Sequence, residues 1–206
     1  MPLASDPKVV ETAYLKLCVR YGENGRFYHN LHHIQHVLSH IQPCLAQARN
    51  PAALQLAAWF HDVIYDPRRH DNEAQSASYA RQILSELGVP AADVAETARL
   101  IGLTAGHKTD TSAGSVQAVS DTDGHILIDA DLAILATEPA QYDAYAAAIR
   151  QEYAHVPDAA YRQGRAQALR QFSERPFLYH LPAHRHWEAA AQANLRRELS
   201  ALLDGK

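Results

Sequence analysis

Residues 57–65 read Ala57-Ala58-Trp59-Phe60-His61-Asp62-Val63-Ile64-Tyr65. They continue an apolar run that starts near Ala52 and ends at Asp66-Pro67, where the proline disfavours helical backbone in the residue before it. A run this apolar on all sides predicts a central, buried helix. His61 and Asp62 interrupt it. A carboxylate taken out of water without a partner is costly, so Asp62 calls for a cation, a metal ion or a web of donors. A metal ion would satisfy both residues, taking a nitrogen from the imidazole and an oxygen from the carboxylate. A buried His–Asp hydrogen bond, or a helix end that exposes both side chains, would satisfy them too, and His-Asp dipeptides are common.

Outward from this run, helix signals dominate. Asp6-Pro7 is a helix start, followed by Val10, Ala13, Tyr14, Leu17 and Cys18 at helical spacing and ended by Gly22 and Gly25. A second helix starts near Asn30 and carries Leu31, Ile34, Val37, Leu38 and Ile41 up to Pro43. Asp71 is placed to cap a fourth helix that Gly88 closes, and Pro90 and Asp93 open a fifth. Residues 106–115 read as a surface loop. A sixth helix holds His125 to Ala136 and stops before Pro139, and helices near 140–154, 159–174 and 183–203 complete the chain. Strand alternation is weak and no linker divides the sequence. The expectation is one all-α domain over residues 1–206, a bundle of about eight or nine helices.

Of the 206 residues, 47% are hydrophobic, the composition of a globular chain, and the net charge of −4 gives no reason to expect bulk nucleic acid as a partner. Two cysteines, Cys18 and Cys44, are too few for a disulfide framework and read as buried free thiols. Neither a secretory signal nor a membrane-length apolar run stands out, so the expected location is the cytoplasm, with no membrane partner. Oligomeric state leaves no mark on the sequence. The unusual count is 13 histidines, several of them between His29 and His40.

Two further stretches give the His-Asp pair company. Upstream is Arg26-Phe27-Tyr28-His29-Asn30-Leu31-His32-His33-Ile34, in which His29 and His33 share a helix face and His32 and His36 share a rotated one. Both pairs cannot point into one site. Downstream, Asp129 and Asp131 interrupt the apolar stretch Ile126 to Leu135, and at two residues apart they diverge on a helix, so one of them at most is a direct ligand.

His33, then His61-Asp62, then Asp131 resembles the H…HD…D signature of the HD superfamily of metal-dependent phosphohydrolases. Tyr28-His29-Asn30 followed by His33 is similar to an element of the cyclic-nucleotide phosphodiesterases in that superfamily. The stretches RFYHNLHHI, AAWFHDVIYDP, DNEAQSA and DADLAILA together resemble small bacterial predicted HD phosphohydrolases over most of the chain. The resemblance implies that His33, His61, Asp62 and Asp131 ligate a divalent metal (manganese, iron, nickel, cobalt, zinc or magnesium, among which the ligand set does not choose). It implies His29 as a general acid, and it aligns Asp66 with the second acid of the HDxxED element in alarmone hydrolases, whose first acid is here Tyr65. That difference argues against alarmone chemistry.

The implied activity is hydrolysis of a nucleotide or other small phosphoester, a phosphomonoesterase or phosphodiesterase reaction. Asp66 and His29 are the candidates for taking and giving protons. His107 follows an apolar helix at a place where several HD proteins carry an extra ligand. It is a candidate for a second metal or the substrate phosphate, and equally for a helix C-terminal cap. An anionic substrate needs cations, for which Arg26 and Arg165 are the candidates. Gly164 beside Arg165 costs a helix about 1 kcal/mol against alanine, and close packing or access to a cleft would explain it. Two other readings share the scaffold: a di-iron oxygenase, with His107 and His125 as added ligands, and a non-catalytic signalling module.

Overall fold

A computed structural model describes residues 6–106 and 121–204. The expected surface loop after Gly106, with His107, lies outside the described residues. Among the described residues there are nine α-helices, three 3-10 segments and no strand, so the protein is all-α as its periodicity predicts. The chain divides into two compact units, Met1–Ala130 and Asp131–Lys206. None of the described helices is long and apolar enough to cross a membrane.

In the first unit, α1 (Pro7–Tyr21) begins as its sequence dictates, with Asp6 accepting from the Lys8 N–H and Pro7 in the first turn. Gly22 ends it, and Gly25 supplies the left-handed φ of 94° that the following turn requires. Asn30 caps α2 (Leu31–Ile41) by accepting from the N–H groups of His32 and His33. Pro43 then tightens the chain into a 3-10 segment, Gln42–Gln47. Asn50 and Pro51 start α3 (Pro51–Phe60), whose Ala53, Leu54, Ala57, Ala58 and Phe60 are buried. α3 packs against α2, α4 (Asn72–Glu86) and α5 (Ala91–Thr104), as expected of a central helix.

The start of α3 is fixed from a distance. Buried Asp123, in the first turn of α6 (Thr122–Asp131), accepts from the N–H groups of Arg49 and Asn50 at 2.8 Å each. Asp71 stands at the head of α4, but its side chain makes no cap hydrogen bond and instead receives both arms of the Arg69 guanidinium, at 2.8 and 2.7 Å. Cys44 is buried and in no disulfide, whereas Cys18, expected to be buried, is partly exposed.

Two helices are shorter than their apolar patterns. α3 does not continue to Tyr65 but stops at Phe60, with His61 as its last residue of helical backbone. α6 gives way after Asp131 to a 3-10 segment, Leu132–Ala136. In both places tertiary hydrogen bonds take main-chain groups that a longer helix would need.

The second unit comprises that 3-10 segment, α7 (Pro139–Glu152), α8 (Asp158–Ser173), a 3-10 turn at Pro182–Trp187 and α9 (Glu188–Leu203). α9 packs against α8 and both 3-10 segments. Buried Asn194 on α9 donates to the carbonyls of Leu135 and Thr137 at 3.0 and 2.8 Å, and the buried Tyr179 hydroxyl donates to Leu132 O at 3.0 Å.

Arg165, the candidate for an anionic substrate, pairs within this unit. Its guanidinium donates to both oxygens of Glu198 at 2.8 and 3.0 Å, and its side chain is only 12% exposed. Tyr142 donates to the same carboxylate at 2.5 Å. Gly164 has open space where a Cβ would stand, so close packing does not explain it.

Candidate metal centre

His33 lies on the buried side of α2, and His61 and Asp62 lie where α3 ends. His33 is 2% exposed and His61 1%. The Asp62 carboxylate is 15% exposed, so one edge of the group reaches solvent. The three side chains converge. His33 Nε2 lies 3.1 Å from His61 Nε2, and Asp62 Oδ2 lies 3.3 Å from His33 Nε2 and 3.1 Å from His61 Nε2. Among the described residues, these three form the group of His, Cys, Asp and Glu side chains able to share one cation.

His61 Nδ1 is 3.0 Å from the carbonyl of Ala58. A carbonyl only accepts, so Nδ1 carries a proton there, and Nε2 is the ring nitrogen that faces His33 and Asp62. Orientation of a ligand histidine by a main-chain carbonyl is the usual arrangement behind a metal site. The triangle of donors also has the right size, since neighbouring ligands at about 2.0–2.2 Å from one transition-metal ion stand roughly 3 Å apart. Two imidazole nitrogens and a carboxylate therefore fit a divalent cation in chemistry and in spacing.

Electrostatics agree. Burial alone would raise the pKa of Asp62, but the charges of His61 and His29, with hydrogen bonds from His33 and His61, outweigh it and hold the carboxyl well below its usual range. Asp62 is thus an anion at neutral pH, the state in which a carboxylate binds metal.

The backbone at the pair is held by Arg26, which the sequence suggested for substrate. Its side chain is buried and donates to the carbonyls of His29 at 3.0 Å, Asp62 at 2.6 Å and Val63 at 2.9 Å. The next residues are also tied. The Ile64 N–H donates to Ser76 Oγ at 3.1 Å, and the Asp66 N–H donates to Asn72 Oδ1 at 3.1 Å. These bonds turn the chain out of the helix and explain why α3 ends at Phe60.

His29 lies in the turn before Asn30, partly exposed. Its ring stacks on Tyr65 with centroids 4.0 Å apart and lies 5.8 Å from the ring of His33. Asp66 sits in the loop after the pair, its side chain 45% exposed and accepting from the Arg68 N–H at 2.9 Å. Asp129 is fully buried on α6, and Asp131 is partly exposed, closes that helix and opens the second unit. His36, paired by sequence spacing with His32, instead meets His40.

Compared with protein-family models, with curated proteins and with solved structures, the chain matches none of them.

Proposed function

We propose that this protein is a metal-dependent phosphohydrolase acting on a nucleotide or another small phosphoester. The observation that carries the reading is the convergence of His33 Nε2, His61 Nε2 and Asp62 Oδ2, with the His61 ring oriented by the Ala58 carbonyl. The order of these residues in the sequence, followed by Asp131, resembles the HD signature and supports Asp131 as the fourth ligand.

A divalent cation held by this set supplies Lewis acidity toward a water molecule and a phosphoryl oxygen. A set of two imidazoles and two carboxylates would leave such a cation open to both. His29 stands beyond the ligand group, and its stacking on Tyr65 holds the ring in place to protonate a leaving oxygen. Asp66, next to Tyr65 in sequence, is the carboxylate assigned to take the proton of the attacking water. Arg26 acts by holding the main chain at Asp62 and Val63, without touching substrate.

The test is release of phosphate or nucleoside from a panel of nucleotides and phosphoesters, with manganese, nickel, cobalt, zinc, iron or magnesium added singly to metal-stripped protein. The expected result is turnover that a chelator abolishes and one of these metals restores. Metal-loaded protein that hydrolyses none of the panel, or whose iron form shows an oxygen-dependent optical change, would overturn it.

A further inference from the structure

α2 carries a second pair of histidines outside the group formed by His33, His61 and Asp62. His36 and His40 are four residues apart, so they stand on successive turns of one helix face. Their Nε2 atoms are 3.2 Å apart, and their rings meet at 74° with centroids 4.6 Å apart. Both side chains are partly exposed, where a dissolved ion can reach them.

Two imidazole nitrogens approach this closely when one N–H donates to the other's lone pair, or when both lone pairs face one cation. The hydrogen-bonded arrangement is already close to the chelating one. Neighbouring nitrogen ligands of an ion at about 2.0–2.1 Å stand roughly 3 Å apart, so no change of rotamer is needed. Chelation places the proton of each ring on Nδ1, so that both Nε2 atoms present lone pairs. Imidazole ligands favour nickel, copper and zinc over magnesium or calcium. With two ligands from the protein, the other positions stay open to water or to an external donor, as in an exchangeable site rather than a closed structural one.

We infer that His36 and His40 form a second metal site, binding one late first-row divalent cation such as Ni²⁺ or Zn²⁺. It stands independently of the proposed hydrolase reading, because none of its atoms belongs to the buried group.

Equilibrium dialysis of the full chain against Ni²⁺, with bound metal measured per chain, tests it. His36→Ala and His40→Ala should each bind one ion fewer than the wild type, or bind that ion roughly 10- to 100-fold more weakly, at least the loss caused by removing a mere supporting group behind a ligand. His32→Ala, at an exposed histidine of the same helix, should match the wild type. Both test substitutions replace a partly exposed residue with the best helix former, and circular dichroism verifies that the fold is kept. His61→Ala measures the buried group separately, so its failure to bind metal leaves the second site standing. A His36→Ala or His40→Ala protein that binds as much Ni²⁺ as the wild type, with the same affinity, would overturn the inference. So would equal loss in His32→Ala.

Discussion

The guanidinium of Arg26 donates to the main-chain carbonyl of Asp62 across 2.6 Å. The same group reaches the carbonyls of Val63 and His29, so one buried cation holds the turn before α2 and the turn after α3 together. These are the two turns that carry His29 and Asp62.

Replacing Arg26 with alanine would leave buried carbonyls without donors, at about 1–3 kcal/mol for each group that water does not reach. Arg26→Ala is expected to lose about 2–4 kcal/mol of stability, and Arg26→Lys to recover only part of it, since an ammonium lacks the planar fork that spans several carbonyls. Urea unfolding of the three proteins measures this. Metal affinity should fall in parallel, because the backbone of the pair is no longer fixed. A lysine variant as stable as the wild type would show that charge alone suffices there.

Two glycines should respond oppositely to alanine. A Cβ on Gly124 would meet Asp121 Oδ2 at 2.5 Å and Leu103 Cδ1 at 2.7 Å, closer than atoms pack. Gly124→Ala must move the ends of the Asp121 and Leu103 side chains and disturb the Asp121 contacts with Arg99, for a net loss of about 1 kcal/mol. A Cβ on Gly164 meets nothing within 4 Å, so Gly164→Ala should gain about 0.5–1 kcal/mol from helix propensity. Shifts of the thermal midpoint in opposite directions verify the pair of expectations.

The helices were legible where their signals are local. Asp6-Pro7 and Asn30 each place a capping side chain at the residue where a helix begins, whereas the start of α3 at Asn50-Pro51 was read near Ala52. The grouping of His33 with His61 and Asp62 was legible as polar residues in apolar company. The end of α3 was not. Its sequence stays apolar to Tyr65, and what stops it at Phe60 is Arg26, Ser76 and Asn72, residues distant in the chain. The burial of Arg26 was not legible either, because a charge beside a histidine motif carries no mark of it. The partner of His36 was equally hidden, since spacing allows His32 and His40 alike and only the packed rotamers choose.

Asp121 offers a test by pH. It is 31% exposed, receives both arms of Arg99 at 2.8 and 3.0 Å, and accepts from the Gly124 N–H at 3.1 Å. Partial burial raises its pKa, but the bond from Arg99 and the Gly124 N–H outweigh this and hold it below the usual value. A carboxyl whose folded pKa is depressed adds stability that is complete above its unfolded pKa, about 4, and lost as the pH falls through the folded value. Asp121→Asn keeps the helix cap and removes the charge. It should therefore cost about 0.5–1 kcal/mol at neutral pH, a small figure because the pair is partly solvated. The gap in urea midpoints between wild type and variant should narrow as pH is lowered from about 5 toward 3. A gap that stays constant over that range would show that the ionised Asp121–Arg99 pair is not its source.

The roles of His29 and His33 separate most clearly by measuring metal and turnover on the same proteins. His33 Nε2 belongs to the triangle with His61 and Asp62, so removing it takes away a ligand atom. His29 does not belong to it. Its ring stacks on Tyr65 in the turn before α2 and lies 5.8 Å from the His33 ring, so it can bear a proton near the group without filling a coordination position. His33→Ala is expected to lose the metal, and His29→Ala to keep it while turnover falls by about 10²–10⁴, the range for loss of a positioned acid. Because the charge of His29 also helps keep Asp62 ionised, a small weakening of metal binding in His29→Ala is consistent with the acid role. His29→Gln, which retains a hydrogen-bonding group without an acid at neutral pH, should be as slow as the alanine variant. Metal content by elemental analysis and the rate on a substrate found in the panel decide the matter. Loss of metal from both variants would make His29 a ligand, and full activity in His29→Ala would remove it from the reaction.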